Sequence, residues 1–325
     1  MKPHQPFAKH YHCIIVVSSV LTFYLKGNVA FFPPRTQRCL LLQKCRTGMT
    51  KDNLPSIKEP STTKTGLKYH YFRSTLTVDS LERCSNPAVL FCNGFRSSMT
   101  GTKAIFLEEH CKSKDLSYCR FDYRGHGLSS PETFLEMTLS DWICDAETIL
   151  LDVLLKDHSQ VMLVGSSMGA WIATHLALRY PDKIAGIVGI APAVDFTQKV
   201  LYEKATDEQK NDWLSKGIAY FPSKYESNPY PITWRFIQDG KEKWQLLDNA
   251  TLSNKIPNGC PVHLLHGQCD IDIPWMTSLE LAERLSTSNV MLTLIKDGDH
   301  RLSRPQDMQQ MSAALDGLLQ RIKTS

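Results

Sequence analysis

The chain has 325 residues, of which 42% are hydrophobic, 22% charged and 9% aromatic, an ordinary globular composition that excludes wholesale disorder, a collagen-like repeat and a disulfide-stapled miniprotein. Its 37 basic and 33 acidic residues give a net charge of +4, but residues 1–50 hold seven basic residues (Lys2, Lys9, Lys26, Arg35, Arg38, Lys44 and Arg46) and no acid. Taking 7 from 37 leaves 30 basic against 33 acidic residues in the remainder, so the body offers no electrostatic footprint for nucleic acid.

The acid-free leader, residues 1–50, reads as a mitochondrial transit peptide. Its apolar run from Cys13 to Leu25 is too short to cross a bilayer, and no stable membrane span is expected. The same run fits the core of a secretory signal, with Asn28-Val29-Ala30 as a poor cleavage site, so the secretory route stands as the alternative. Seven cysteines follow the leader (Cys84, Cys92, Cys111, Cys119, Cys144, Cys260 and Cys269). Their odd number and the absence of any CxxC pair speak against a disulfide framework or a zinc site and for free, mostly buried thiols in a reducing compartment. A sequon, Asn249-Ala250-Thr251, matters only on the secretory route.

Residues 51–65 are rich in Lys, Ser, Thr and Pro and lack hydrophobic periodicity, the pattern of a linker. From residue 66 onward short apolar runs alternate with amphipathic stretches. Strands are expected at Ala88–Cys92, Ser117–Asp122, Val161–Gly165, Ile184–Ile190, Val262–Leu265 and Val290–Ile295. Helices are expected at Thr102–Lys112, Ser140–Leu155, Met168–Arg179, Trp275–Leu285 and Gln306–Ile322. Continuous apolar strands flanked by helices indicate burial on both faces, hence a mainly parallel sheet in an α/β fold. From about 195 to 257 the rhythm gives way to polar and aromatic text with helical patches and no strand run. This is the pattern of a helical lid inserted into one domain spanning 66–325, because either half of the core alone would leave a sheet edge unpaired.

Within Val161–Gly169, Gly165-Ser166-Ser167-Met168-Gly169 is a G-x-S-x-G placed after a strand and before a helix, the context of a nucleophile elbow on Ser167. The glycines are needed where the sharp reversal presses backbone on backbone. A Gly-Ser turn without chemistry shares the three fixed positions; the flanking strand and helix favour the elbow. At the helix N-terminus the Met168 amide is the natural first donor to an oxyanion. The loop Asn93-Gly94-Phe95, after an earlier strand, offers the Phe95 amide as second donor, against the plainer reading of an Asn-Gly turn. Asn93 is a candidate for pinning that loop through its side chain.

A serine hydroxyl needs a base, and the base needs an acid to hold its tautomer. In the chain order Ser, acid, His, the loop His266-Gly267-Gln268-Cys269-Asp270-Ile271-Asp272-Ile273-Pro274 supplies two competing acids. Its spacing favours Asp270, leaving Asp272 as a cap or a solvated charge. Asp297-Gly298-Asp299-His300-Arg301 supplies His300 as base. His126, in a glycine-rich turn, is expected to brace loops, and His175 and His263 to pack.

Taken together, Asn93-Gly94-Phe95, Asp122-Tyr123-Arg124-Gly125-His126-Gly127, the Ser167 elbow, His266 to Asp270 and Asp299-His300-Arg301 resemble the α/β-hydrolase superfamily from about residue 66 to the end. Ser98-Met99-Thr100-Gly101-Thr102-Lys103-Ala104, Val164 to Trp171 and Phe221-Pro222-Ser223-Lys224-Tyr225 are similar to a mitochondrial branch of that family that depalmitoylates proteins and hydrolyses mycophenolic acid acyl-glucuronide. The resemblance implies a mitochondrial serine hydrolase with nucleophile, acid and base at Ser167, Asp270 and His300. It implies S-acylated proteins and small acyl-glucuronides or esters as substrates. No metal or organic cofactor is called for. A lipid-ester hydrolase or peptidase on the same framework, and a catalytically silent binding scaffold, are the alternatives.

Overall fold

The computed structural model describes residues 14–17, 59–74, 86–222, 228–247 and 260–324. Most of the expected leader and linker, Cys84, Ser223 to Tyr225 of the lid and the sequon lie outside the described residues.

The apolar runs become strands of one nine-stranded sheet. In chain order these are β1 (Ile14–Val17), β2 (Ser61–Thr62), β3 (Lys68–Phe72), β4 (Ala88–Cys92), β5 (Tyr118–Phe121), β6 (Val161–Ser166), β7 (Ile184–Ile190), β10 (Val262–Gly267) and β11 (Val290–Ile295), in the spatial order β1-β11-β10-β7-β6-β4-β5-β3-β2. Pairing is parallel from β1 through β5, and antiparallel where β3 joins β5 and β2 joins β3. The helices are α1 (Thr102–Ser113), α2 (Leu139–Ile149), α3 (Met168–Arg179), α6 (Met276–Arg284) and α7 (Pro305–Thr324).

Period-two alternation divides each central strand between two cores. Ala88, Leu90 and Cys92 of β4, with Val161 and Leu163 of β6, face a core shared with Trp142 of α2, Trp171 of α3 and Leu281 of α6. Val89, Phe91, Met162 and Val164 point the other way, onto Leu107 of α1 and Leu315 and Leu318 of α7. A sheet covered by helices on both faces is the physical reason its strands read as unbroken apolar runs. Of the cysteines described, none is paired; Cys92, Cys111, Cys119 and Cys260 are buried, and Cys144 and Cys269 exposed. Burial pushes the Cys92 and Cys111 thiols up to about 12, which keeps them unreactive.

Three features depart from expectation. The β-branched quartet Ile14–Val17, inside the expected leader, pairs in parallel with the otherwise open edge of β11. Ser61 and Thr62, inside the expected linker, pair with β3. The lid, expected to be helical with no strand run, holds a two-stranded antiparallel hairpin between α4 (Asp207–Lys216) and α5 (Trp234–Lys243): β8 (Ile218–Phe221) and β9 (Tyr230–Thr233). Gly217, left-handed at φ 73°, ends α4 and turns the chain into β8. Trp213, buried on α4, donates its indole N–H to Ile232 O of β9 at 2.9 Å, so the hairpin depends on a contact nineteen positions away in sequence that no local periodicity reveals.

The lid is seated on the helices beneath it. Buried Asp195 accepts the Leu246 and Leu247 amides where the lid returns to the core. Asp239 of α5 accepts from the amide and hydroxyl of Ser140, and Trp171 Nε1 donates to Trp244 O at 2.9 Å. Among the described residues no helix is long and apolar enough to cross a membrane.

At the β6–α3 junction a Cβ on Gly169 would lie 2.0 Å from Cys92 O and 2.5 Å from Cys92 C, both backbone atoms of β4. Gly169→Ala is therefore expected to destabilise the protein by about 3 kcal/mol or more. The urea unfolding midpoint checks this, and an unchanged midpoint contradicts the close packing.

Candidate active site

Ser167 occupies the turn between β6 and α3 with φ 55° and ψ −119°, a conformation that costs a non-glycine residue about 1–3 kcal/mol. The surroundings hold it there: the Ser167 amide donates to Ile190 O of β7 at 2.8 Å, and Ser167 O accepts from Ala193 at 3.2 Å. Gly165 lacks the Cβ that would collide with Gly169 O at 2.4 Å. The turn lifts the Ser167 hydroxyl over the carboxyl ends of the strands, and the following helix aims its N-terminal amides at the same space.

His300 arrives on the loop after β11. Its Nε2 lies 3.0 Å from Ser167 Oγ and its Nδ1 2.7 Å from Asp270 Oδ2. Asp270 stands on the loop after β10, its carboxylate wholly removed from solvent. Its Oδ1 accepts the amides of Asp272 and Ile273 at 2.9 and 2.8 Å. The two loops approach closely because Gly267 has no side chain: a Cβ there would meet Gly298 O at 2.2 Å. Of the two acids in this loop, Asp270 therefore makes the contact to the imidazole, and Asp272 contributes its amide.

Sequence reasoning gave His266 no role beyond membership of a motif. It is fully buried in β10, four positions before Asp270; its Nε2 lies 3.0 Å from Asp270 Oδ2 and its Nδ1 2.6 Å from Ser278 Oγ. With Nε2 donating to the carboxylate, Nδ1 accepts from the Ser278 hydroxyl, which fixes the tautomer. Burial alone pushes the Asp270 carboxyl up; the hydrogen bonds from His266 and His300, the His300 charge and the Ile273 amide outweigh it and hold the group well below the usual carboxylate range. Asp270 thus stays anionic, the state that orients an imidazole and stabilises its protonated form.

Opposite Ser167 lies the loop after β4: a Cβ on its Gly94 would sit 3.3 Å from Ser166 O and 3.4 Å from Ser167 Cβ, close to van der Waals contact. Asn93 pins this loop by donating from Nδ2 to Phe121 O at 2.6 Å. The Phe95 ring stacks on Phe236 of the lid at 5.5 Å and meets Trp142 edge-on at 5.8 Å. Among the described residues no hydrogen bond uses the Phe95 amide, and the Met168 amide, first in α3, has no intrahelical acceptor by position. Arg96, left-handed at φ 56°, donates its amide to His126 Nε2 at 3.0 Å. His126 Nδ1 lies 3.3 Å from Arg124 O. Burial lowers the His126 pKa to about 4, so its Nε2 is a neutral acceptor.

These groups border a cleft of about 420 Å³ lined by Gly94, Phe95, Ser167, Tyr230 and His300; among its described lining residues Arg96, Lys103 and Arg301 are charged and none is an acid. Of the lid aromatics, Tyr230 reaches this lining; Tyr202, Trp213 and Trp234 pack on one another. Ligand atoms of Asp270, Asp272 and His300 lie within 4.8 Å of each other. Asp270 and His300 already share a 2.7 Å hydrogen bond, which leaves no space for a cation between them.

The chain matches the family model described as "Serine aminopeptidase, S33" over residues 84–307. It is 36% identical to human "Palmitoyl-protein thioesterase ABHD10, mitochondrial" over 240 residues, covering 74% of this chain and 75% of that protein. The bovine protein of the same name is 37% identical over 242 residues, with the same coverage. Among solved structures, alpha/beta hydrolase domain-containing protein 10 from mouse superposes with a TM-score of 0.67 at 32% identity, over 83% of this chain and 98% of that one.

His126 has an ordinary pKa of 6.5 and a folded value of about 4, so between those values the unfolded chain binds more protons and stability falls as pH drops. Urea unfolding at about pH 7 and about pH 5 is expected to show that loss. His126→Leu should shrink it, while costing about 1–3 kcal/mol at neutral pH for the orphaned Arg96 amide.

Proposed function

The chain belongs to the α/β-hydrolase family described as serine aminopeptidase S33, and within it to the family of the ABHD10 thioesterases; from that premise we propose that this serine hydrolase cleaves acyl thioesters and esters through an acyl-enzyme on Ser167. The observation that carries the reading is the unbroken chain from Ser167 Oγ through both His300 nitrogens to a buried carboxylate, at 3.0 and 2.7 Å. His300 Nε2 takes the hydroxyl proton as Ser167 Oγ attacks the carbonyl carbon. The Met168 and Phe95 amides receive the resulting oxyanion. His300 then returns the proton to the departing thiol or alcohol, and a water deprotonated by the same nitrogen releases the acyl group.

S-acylated protein cysteines are the substrate class that the thioesterase relatives support. Acyl-glucuronides are a second: a cleft carrying Arg96, Lys103 and Arg301 suits the sugar carboxylate. The same cations disfavour an aminopeptidase, because they repel its substrate amine. A mitochondrial address agrees with the acid-free basic leader and with the relatives' names.

Ser167→Ala is expected to lower turnover of a palmitoylated cysteine peptide by at least about 10⁴-fold with an unchanged melting temperature, and Asp270→Asn by a comparable factor. Asp272→Asn should change it less than about tenfold. Undiminished turnover in Ser167→Ala, or an aminoacyl amide as the preferred substrate, overturns the proposal.

A further inference from the structure

Lys103 lies in a segment that carries part of the family likeness, yet the chain of contacts from Ser167 to Asp270 makes no use of it. The residue sits in the first turn of α1, where the helix dipole disfavours a cation, and a long cationic side chain at such a place ordinarily extends into water. Here it turns into the cleft. Its ammonium donates to the backbone carbonyl of Arg301 and reaches Ser303 Oγ at 3.5 Å.

The loop that carries His300 holds a strained residue. Leu302 is left-handed at φ 43° without being glycine, and its amide is held by Asp299 Oδ1 at 2.9 Å. We infer that Lys103 is a positioning residue for His300: by gripping the Arg301 carbonyl, one residue beyond the imidazole, it sets the reach of Nε2 to Ser167 Oγ. The inference rests on the reading of Ser167, Asp270 and His300 as the reacting set.

The grip is pH-dependent. Desolvation in the cleft lowers the Lys103 pKa from 10.5 to about 8, with Asp299 opposing, Arg301 assisting and Asp307 of α7 opposing. Arg96 lines the same cleft from the facing loop. As pH rises through about 8 the ammonium discharges and the charge-assisted hydrogen bond weakens. Over the same interval the unfolded chain binds the extra proton, so this group makes the fold more stable as pH rises. Falling activity with rising stability separates loss of position from unfolding.

The test measures kcat and KM for a neutral short-chain thioester between about pH 6 and about pH 9 on the full chain. Wild type should lose activity above about pH 8. Lys103→Met should show kcat about tenfold lower at neutral pH, KM within about twofold and no such alkaline decline. Lys103→Arg, always charged, should keep most of the activity and carry it past the wild-type decline. A flat wild-type profile, or a Lys103→Met variant with wild-type kcat, overturns the inference. If Lys103→Met fails to fold, the wild-type and Lys103→Arg profiles decide. A wild-type chain with no turnover overturns the underlying reading and this inference with it, whereas an active enzyme indifferent to position 103 overturns the inference alone.

Discussion

The 2.7 Å hydrogen bond between Asp270 and His300 is the interaction on which the site depends. A carboxylate wholly out of water is costly unless its oxygens are occupied. Here they are: Oδ1 by the Asp272 and Ile273 amides, and Oδ2 by His266 and His300. Those partners keep the group ionised against burial, and an ionised, immobile acceptor gives the imidazole a defined tautomer and direction. His266 and Ser278 extend the arrangement into the core, so the acid is held from behind as well as presented in front.

Bringing the interacting groups together is the work of the sheet. The loops after β4, β6, β10 and β11 all leave the carboxyl ends of parallel strands, where α/β folds collect their sites. Their mutual approach is limited by backbone volume, and glycine removes the limit at Gly169 and Gly267. Strain accepted at Ser167, Arg96 and Leu302, each left-handed, is offset by the packing and hydrogen bonds around them. The site is thus stiff at Ser167, at the loop facing it and beside His300.

The lid contributes differently from what an aromatic insertion suggests. Its rings mainly build the lid itself, through Tyr202, Trp213 and Trp234, or lock it down through Phe236 against Phe95 and Trp142. By stacking on Phe95, the lid helps hold the loop opposite Ser167, so covering the core and shaping the cleft are one function. Among its described lining residues, the cleft beneath combines that aromatic border with three cations.

Several elements were legible in the chain without a fold. Unbroken apolar runs such as Ile184–Ile190 are seen as strands because burial on both faces demands them, and Met168–Arg179 is seen as a helix with the same limits. The G-x-S-x-G placement marked Ser167 because strand, turn and helix are consecutive in sequence. Other features depend on residues that meet only after folding. Loop spacing already favoured Asp270 over Asp272; what the fold adds is the imidazole, thirty positions away, that the Asp270 carboxylate contacts. His266 gains its role from Ser278 and Asp270, and Lys103 from a carbonyl at Arg301. The β8–β9 hairpin and the edge pairing of β1 likewise arise from partners distant in sequence. Periodicity and turn chemistry record which face of a segment is buried; they carry no record of what it is buried against, and that neighbour, supplied by the tertiary structure, assigns each polar group its work.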